Sequence, residues 1–392
     1  MTRQPTASKQ PHQARGRGPA DGGGAGSRAL PHFWALILAG GRGTRFWPRS
    51  RKARAKQVLP VLGKQSLIQQ TYERLRPLVP PARFLIITNI YLREEIVRQL
   101  PQIPPEQVIA EPAQRNTAPC IGLAARILLE RDPDAVMGVF PADHVIAREA
   151  AFRSVLRRAA RAAQQDRLVV LGIEPRWPET GYGYIEFASA AGPHGRAPQR
   201  ATPLPVTRFR EKPDLATAKR FLRRGNFYWN SGMFVWKAAV INRALEQFLP
   251  PTGAALQRIR GRPGEARFAR TLAAQYPLCE NISIDYAVLE KAPGITGFPC
   301  GDLGWNDVGS WKAVYELLPH DRDGNVARSE ALFHKATGSY VDAPGKLVAV
   351  VGIDDVIVVE SGDALLVVPR DRAQEVGAVV KILERRGRED LL

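Results

Sequence analysis

From Phe33 to Gly172 the chain repeats one unit, a strand-sized apolar run followed by an amphipathic helical segment. The apolar runs are "FWALILAG", "RFLIITN", "QVIAE", "AVMGVFPAD" and "RLVVLGI". Between them stand "SLIQQTYERLRPLV", "YLREEIVRQL", "APCIGLAARILLER" and "EAAFRSVLRRAARAAQQ". Near-continuous apolar strands are buried on both faces, and helices between them supply the crossovers that parallel strands need. The pattern predicts an α/β fold, a Rossmann-like mixed and mostly parallel sheet with helices on both faces.

After Gly172 the rhythm changes to longer connections and mixed elements, among them "GYGYIEFA", "VTRFREKPDLATAKRFLRRG" and "YWNSGMFVWKAAVINRALEQFLP", then a helical stretch over about 253–274. From about Val326 come short β runs, "GSYVDAP", "KLVAVVGI", "DVIVVESGD" and "ALLVVPR", and a closing helix, "RAQEVGAVVKILERRG", with no clean repeat among them. Residues 1–32 are rich in Gly, Pro, Arg and Ala. They have almost nothing to bury, so they are expected to be a disordered extension. The division is therefore 1–32, then an α/β domain over 33–325, then a β-rich segment over 326–392.

The net charge is +18, from 44 Arg and 12 Lys against 38 acids. The basic residues are scattered through almost every segment. No aromatic-interleaved basic patch or helix-turn-helix pattern stands out, so anionic small substrates are expected rather than nucleic acid. No apolar run reaches the length of a membrane span, and no membrane partner is expected. Three cysteines, Cys120, Cys279 and Cys300, are far apart and odd in number. They offer neither a zinc spacing nor a disulfide framework, which suits a reducing, cytoplasmic setting.

The first apolar strand stops at "GGRGTR", followed by a crowd of cations: Arg42, Arg45, Arg49, Arg51, Lys52, Arg54 and Lys56. A strand, a Gly-rich turn and a helix together make the usual anion site, where backbone N–H groups and the helix N-terminus converge. No GK[ST] follows, so this is not a Walker loop. Phe46 stands where a dinucleotide fingerprint needs its third small residue. A cluster without a neighbouring acid suits a triphosphate, and a loop so basic is expected to be mobile when empty. A tight surface turn with solvated arginines is the plainer alternative.

"LAGGRGTRFWPRSRKARAKQ" resembles the signature of the sugar nucleotidyltransferases, in their mannose-1-phosphate guanylyltransferase branch. The resemblance continues in order through "EPAQRNTAP", "FPADH", "GIEPRWPETGYGYIE", "EKP", "WNSGMF", "SIDYAVLE" and "WNDVGSW", covering about 36–311. It implies that 33–325 is a nucleotidyltransferase catalytic domain, transferring GMP from GTP to mannose 1-phosphate with release of pyrophosphate. A sister enzyme using another hexose or base, or a silent regulatory subunit, is the alternative. One departure is Ala55, where the family usually has Pro before the lysine. The resemblance further implies Mg²⁺ as cofactor, a possible homodimer, and, with about 80 residues after "WNDVGSW", no isomerase barrel.

Residue by residue, the resemblance implies that Leu38, Gly40, Gly41, Gly43, Thr44, Arg45 and Lys56 hold the nucleotide. Arg45 and Lys56 take the triphosphate and the departing pyrophosphate. Glu111, with Asn116 and Thr117 nearby, is expected to read guanine, because a carboxylate complements its N1–H and N2–H₂ donors. A simple pair between Glu111 and Arg115 is the alternative. Asp143 and Asp307 are the implied Mg²⁺ ligands, since that ion is commonly held by one or two carboxylates plus phosphates and water. Singly, each could be a helix cap or an Asx turn. Lys212 is assigned to the sugar 1-phosphate, and Thr180, Gly183, Glu211, Asn230 and Asp285 to the hexose. Catalysis rests with Arg45, Lys56, Asp143 and Lys212, and His144 is expected to be a local hydrogen-bonding residue.

Overall fold

The computed structural model describes residues 1–2, 29–188 and 203–392. The expected disorder of the N-terminal extension falls almost entirely on residues outside that set. A nine-stranded sheet organises the rest. From one edge its strands are Val108–Glu111, Phe84–Asn89, Phe33–Ala39, Val136–Pro141, Phe227–Lys237, Val169–Ile173, Thr296–Cys300, Leu204–Arg210 and Tyr184–Phe187. The first four are mutually parallel, in the register Ala35 to Phe84 and Phe33 to Val136. Phe227–Lys237 then runs antiparallel to both of its neighbours, Val136–Pro141 and Val169–Ile173, and Thr296–Cys300 returns parallel to the latter.

Alternate residues of the first strand point to opposite faces, and both faces are covered. Phe33, Ala35 and Ile37 join the helices Leu67–Leu75 and Glu149–Ala163 in one core, while Trp34 and Leu36 join Thr117–Arg131 and Ala238–Phe248 in another. Each large aliphatic side chain fully buried there contributes about 1.5–3 kcal/mol. The helix Leu67–Leu75 starts on a capping box between Ser66 and Gln69, which satisfies amides that its first turn leaves free.

The segment from Val326 is a β coil. Val326–Ala327, Tyr340–Asp342 and Val356–Ser361 stack in parallel, and Ala331–His334 stacks on Val348–Val351. No repeat was legible because the rungs are short and separated by turns of unequal length. The coil is not a detached appendage. Phe46, Trp47, Leu59 and Leu67 share a third core with Val308, Trp311, Tyr340, Ile357, Val376 and Val380.

Candidate active site

The strand Phe33–Ala39 runs into the glycine turn. Gly43 has φ +60°, and a Cβ there would lie 2.7 Å from the Lys56 backbone nitrogen, so a side chain is excluded twice over. A Cβ on Gly40 would stand 3.0 Å from Glu111 Oε2. The turn is held from behind, since Gln57 Nε2 donates to the carbonyls of Ala39 (2.7 Å) and Gly41 (2.9 Å). Two three-residue 3-10 turns, Thr44–Phe46 and Lys56–Val58, follow, and the first α-helix is the one expected in "SLIQQTYERLRPLV", at Leu67–Leu75. The helix whose N-terminus faces this site is instead Thr117–Arg131, capped by Asn116.

A cavity of about 560 Å³ opens at the ends of the parallel strands, lined by Leu38, Gly40, Gly41, Glu111, Asn116, Thr117, Asp143 and Asp285 among others. The strand Val108–Glu111 delivers Glu111 to its wall, 9% exposed. Burial raises its carboxyl to about 7, against the pull of the hydrogen bond that the Tyr276 hydroxyl donates to Oε1. Glu111 is not spent on Arg115, which donates instead to the Pro277 carbonyl. Asn116 sits at φ +64° and its Oδ1 accepts from the Thr117 amide at 2.9 Å, opening the helix Thr117–Arg131. The Thr117 hydroxyl accepts from the Ile284 amide at 2.9 Å, which secures the segment leading to Asp285.

Asp143 and Asp307 are brought together by a two-residue antiparallel ribbon in which Trp305 pairs with Ile146 and Asn306 with Val145. Lys56 lies across the junction, 6% exposed. Its Nζ stands 2.7 Å from Asp143 Oδ2 and donates to the main-chain oxygens of Asp307 and Val308, each at 2.8 Å. An ammonium has three protons, and all three have an acceptor. Val308 turns its carbonyl inward by adopting φ +48°, an unfavourable conformation for a β-branched residue. Tyr182 donates to Asp307 Oδ1 at 2.6 Å. Burial pushes the Asp143 carboxyl up, but Lys56 and His144 pull it further down, below the ordinary range. His144 accepts at Nδ1 from Trp305 Nε1 (3.2 Å). Burial lowers its basicity against the opposing pull of the two aspartates.

The sugar-side residues divide. Asn230 Nδ2 donates to Asp285 Oδ1 at 2.7 Å, and a Cβ on Gly183 would lie 2.4 Å from Glu211 Oε2 and 3.4 Å from Asn230 Cβ. Burial, with Glu211 adding its charge, raises Asp285 to about 6. Asp285 also opens a π-helical turn, Asp285–Leu289, a local winding frequent at functional sites. Lys212 is mostly exposed beside Glu211 (3.4 Å) with φ +43°. Thr180 lies apart from that group, on a second cavity of about 590 Å³ that it shares with Arg45, Tyr182, Asp307 and Gln374.

The basic crowd is not a loose cation cloud. Arg42 pairs with Glu384 (2.5 Å), Arg49 with Asp342 (2.7 Å), Arg51 with Asp363 (2.7 Å) and Lys52 with Glu389. Arg45 donates to Gln374 Oε1 at 2.5 Å, and Trp47 Nε1 to the Leu391 carbonyl at 3.1 Å. The acids absent from the neighbouring sequence arrive from the β coil and its helix. A turn of solvated, unpaired arginines is therefore not what the chain builds. Ala55, in place of the usual proline, has φ −74° and ψ 168°, a conformation that proline itself adopts.

Tyr182, Gln57, Tyr276 and Gln374 went unassigned from sequence. Tyr182 and Gln57 sit inside the "GYGYIE" and "AKQ" motifs, whereas nothing local marks Tyr276 or Gln374. Among the described residues no three His, Cys, Asp or Glu stand together as a ready cation site. Two carboxylates at a junction that already holds an ammonium fit Mg²⁺, provided that phosphates and water complete the shell.

Comparison with known proteins identifies the family. The nucleotidyl transferase family matches residues 34–324, and the MannoseP isomerase/GMP-like beta-helix domain matches 335–383 within the coil. The xanthan biosynthesis protein XanB of Xanthomonas campestris pv. campestris (strain B100) is 40% identical over 358 residues, 91% of this chain and 74% of its own. The mannose-1-phosphate guanylyltransferase ManC of Salmonella typhimurium is 39% identical over 363 residues, with 91% and 74% covered. A crystal structure from Thermus thermophilus, described as a mannose-1-phosphate geranyltransferase, matches at TM-score 0.78 and 34% identity over 90% of this chain and 99% of that one. The chain belongs to the nucleotidyl transferase family, in its mannose-1-phosphate guanylyltransferase branch.

Proposed function

We propose that the protein transfers GMP from GTP to mannose 1-phosphate, yielding GDP-mannose and pyrophosphate. The observation that carries this reading is Glu111. One carboxylate oxygen is committed to Tyr276, and the other lies over Gly40 in the cavity that also holds Asp143. A carboxylate there complements the N1–H and N2–H₂ edge of guanine, which uracil and thymine lack. Curated relatives named mannose-1-phosphate guanylyltransferase support the same choice.

In the reaction a phosphate oxygen of mannose 1-phosphate attacks the α-phosphorus of GTP. The Pα–O–Pβ bond breaks, and its electron pair leaves with pyrophosphate. Such chemistry depends on alignment and charge more than on a protein nucleophile. Asp143 and Asp307 would hold Mg²⁺, which supplies charge neutralisation at the phosphates when bound. Arg45 offers its guanidinium to the outer phosphates. Lys56 keeps the two acidic segments in register. Asn230, Asp285 and Glu211 orient hexose hydroxyls, with the Gly183 backbone leaving room for the ring. Lys212 receives the sugar phosphate by swinging its exposed ammonium inward.

Cytoplasmic residence is part of the proposal. All three cysteines are free and buried, and no described helix is long and apolar enough to cross a membrane. The proposal also includes a homodimer, supported by exposed apolar side chains such as Leu332, Val351 and Val367 on the coil. The test of function is pyrophosphate release with Mg²⁺ across a panel of GTP, UTP, dTTP and ATP against mannose and glucose 1-phosphates. Turnover confined to GTP with mannose 1-phosphate supports the reading, and preference for another base or hexose overturns it.

A further inference from the structure

The five cations that the signature loop directs at the C-terminal segment are not treated alike. Arg42, Arg49, Arg51 and Lys52 each meet a carboxylate, which cancels their charge. Arg45 meets the neutral amide oxygen of Gln374, at 2.5 Å. An amide acceptor fixes one N–H of a guanidinium and leaves its full charge available.

The position of that guanidinium gives the distinction a purpose. A Cβ built on Gly309 would lie 3.5 Å from an Arg45 terminal nitrogen and 3.0 Å from Asp307 Oδ2, so the two groups are close neighbours. An arginine on a three-residue turn beside a carboxylate would ordinarily fold onto it as an ion pair. That same terminal nitrogen donates to Gln374 instead, on the cavity that Arg45, Tyr182, Asp307 and Gln374 line together. Gln374 is held there because the turn Arg370–Glu375 leads into the helix Val376–Arg385. That helix packs so closely that a Cβ on Gly377 would lie 3.4 Å from Thr44 Oγ1 and 3.6 Å from Arg45 Cγ.

We propose that Gln374, from the β-coil segment, is a positioning residue for nucleotidyl transfer, holding Arg45 off Asp307 and aimed at the outer phosphates of the nucleotide. This rests on the functional reading above. Gln374 is exposed, so substitutions there leave folding intact.

The experiment compares wild type, Gln374→Met and Gln374→Glu in both reaction directions, together with thermal melts. Gln374→Met, which keeps shape and loses the acceptor, should raise KM for GTP and for pyrophosphate about fivefold, the scale of one charge-assisted hydrogen bond at an open site. KM for mannose 1-phosphate and the melting temperature should hold. Gln374→Glu, which keeps an acceptor and cancels the charge, should raise KM for pyrophosphate further still. Unchanged constants in Gln374→Met, or equal shifts for all substrates with a lowered melting temperature, overturn the assignment. A wild type that turns over neither substrate defeats the functional reading. Equilibrium binding of pyrophosphate then decides this inference by itself, and equal affinity in wild type and Gln374→Met overturns it.

Discussion

Lys56 Nζ stands 2.7 Å from Asp143 Oδ2 and 2.8 Å from the main-chain oxygen of Asp307, so one buried ammonium ties together two acids 164 residues apart in the chain. Lys56→Met leaves Asp143 and two carbonyls without their partner, which should cost about 3 kcal/mol. The sign with pH follows from the lowered Asp143 carboxyl. Its contribution is present above about pH 4, the unfolded value, and is lost as pH falls through the lower folded value. The unfolding free energy should therefore fall more steeply as pH drops from about 4 to 2 in wild type than in Lys56→Met. Parallel curves would remove this pair from the stability of the site.

Glu111 titrates near 7 in the free protein, whereas reading guanine requires the carboxylate. GTP affinity should therefore rise about tenfold from pH 6 to pH 8 as the acid ionises, one unit of pH below its pKa corresponding to about a tenfold deficit. Glu111→Gln should bind more weakly and lose this excess rise. Because both proteins share the phosphate titration, the difference between their Kd profiles isolates Glu111.

Tyr182 donates to Asp307 Oδ1, an outer partner of a carboxylate assigned to Mg²⁺. Tyr182→Phe should raise the Mg²⁺ concentration for half-maximal rate about tenfold, the scale of such outer contacts. At saturating Mg²⁺ its KM for mannose 1-phosphate should match wild type. Asp143→Asn, by contrast, should not recover at any Mg²⁺ concentration. Direct Mn²⁺ binding by electron spin resonance, with GTP present, checks both without reference to rate.

Ala55 has φ −74°, within proline's range. Ala55→Pro should raise stability by about 0.5 kcal/mol through the unfolded chain's lost freedom, visible as a small rise in melting temperature with unchanged kcat. A fall would mean that the two added ring carbons find no space at this buried position.

Much of this was legible in the chain. "FWALILAG" and its successors announced a sheet buried on both faces, because period and composition are local properties. The motif series marked Asp143 and Asp307, but their meeting depends on a ribbon of two residues per strand, Val145–Ile146 with Trp305–Asn306. No propensity reveals an element so short. The glycine turn misled in a different way. Glycines and cations suggested solvated charge, yet Arg49 and Arg51 meet Asp342 and Asp363 from the far end of the chain, through a series of tight turns. The neutrality of Gln374 was equally invisible, since its meaning depends on which cation it faces.

The core shared by Phe46, Trp47 and Leu67 with Tyr340, Ile357 and Val376 makes the boundary near 325 a seam in sequence and not in cohesion. Cutting the chain there would strip the signature loop of its apolar underside, leaving the nucleotidyl transferase portion insoluble or inert when expressed alone. Calorimetry of the intact protein should correspondingly register one heat-absorption peak in place of two.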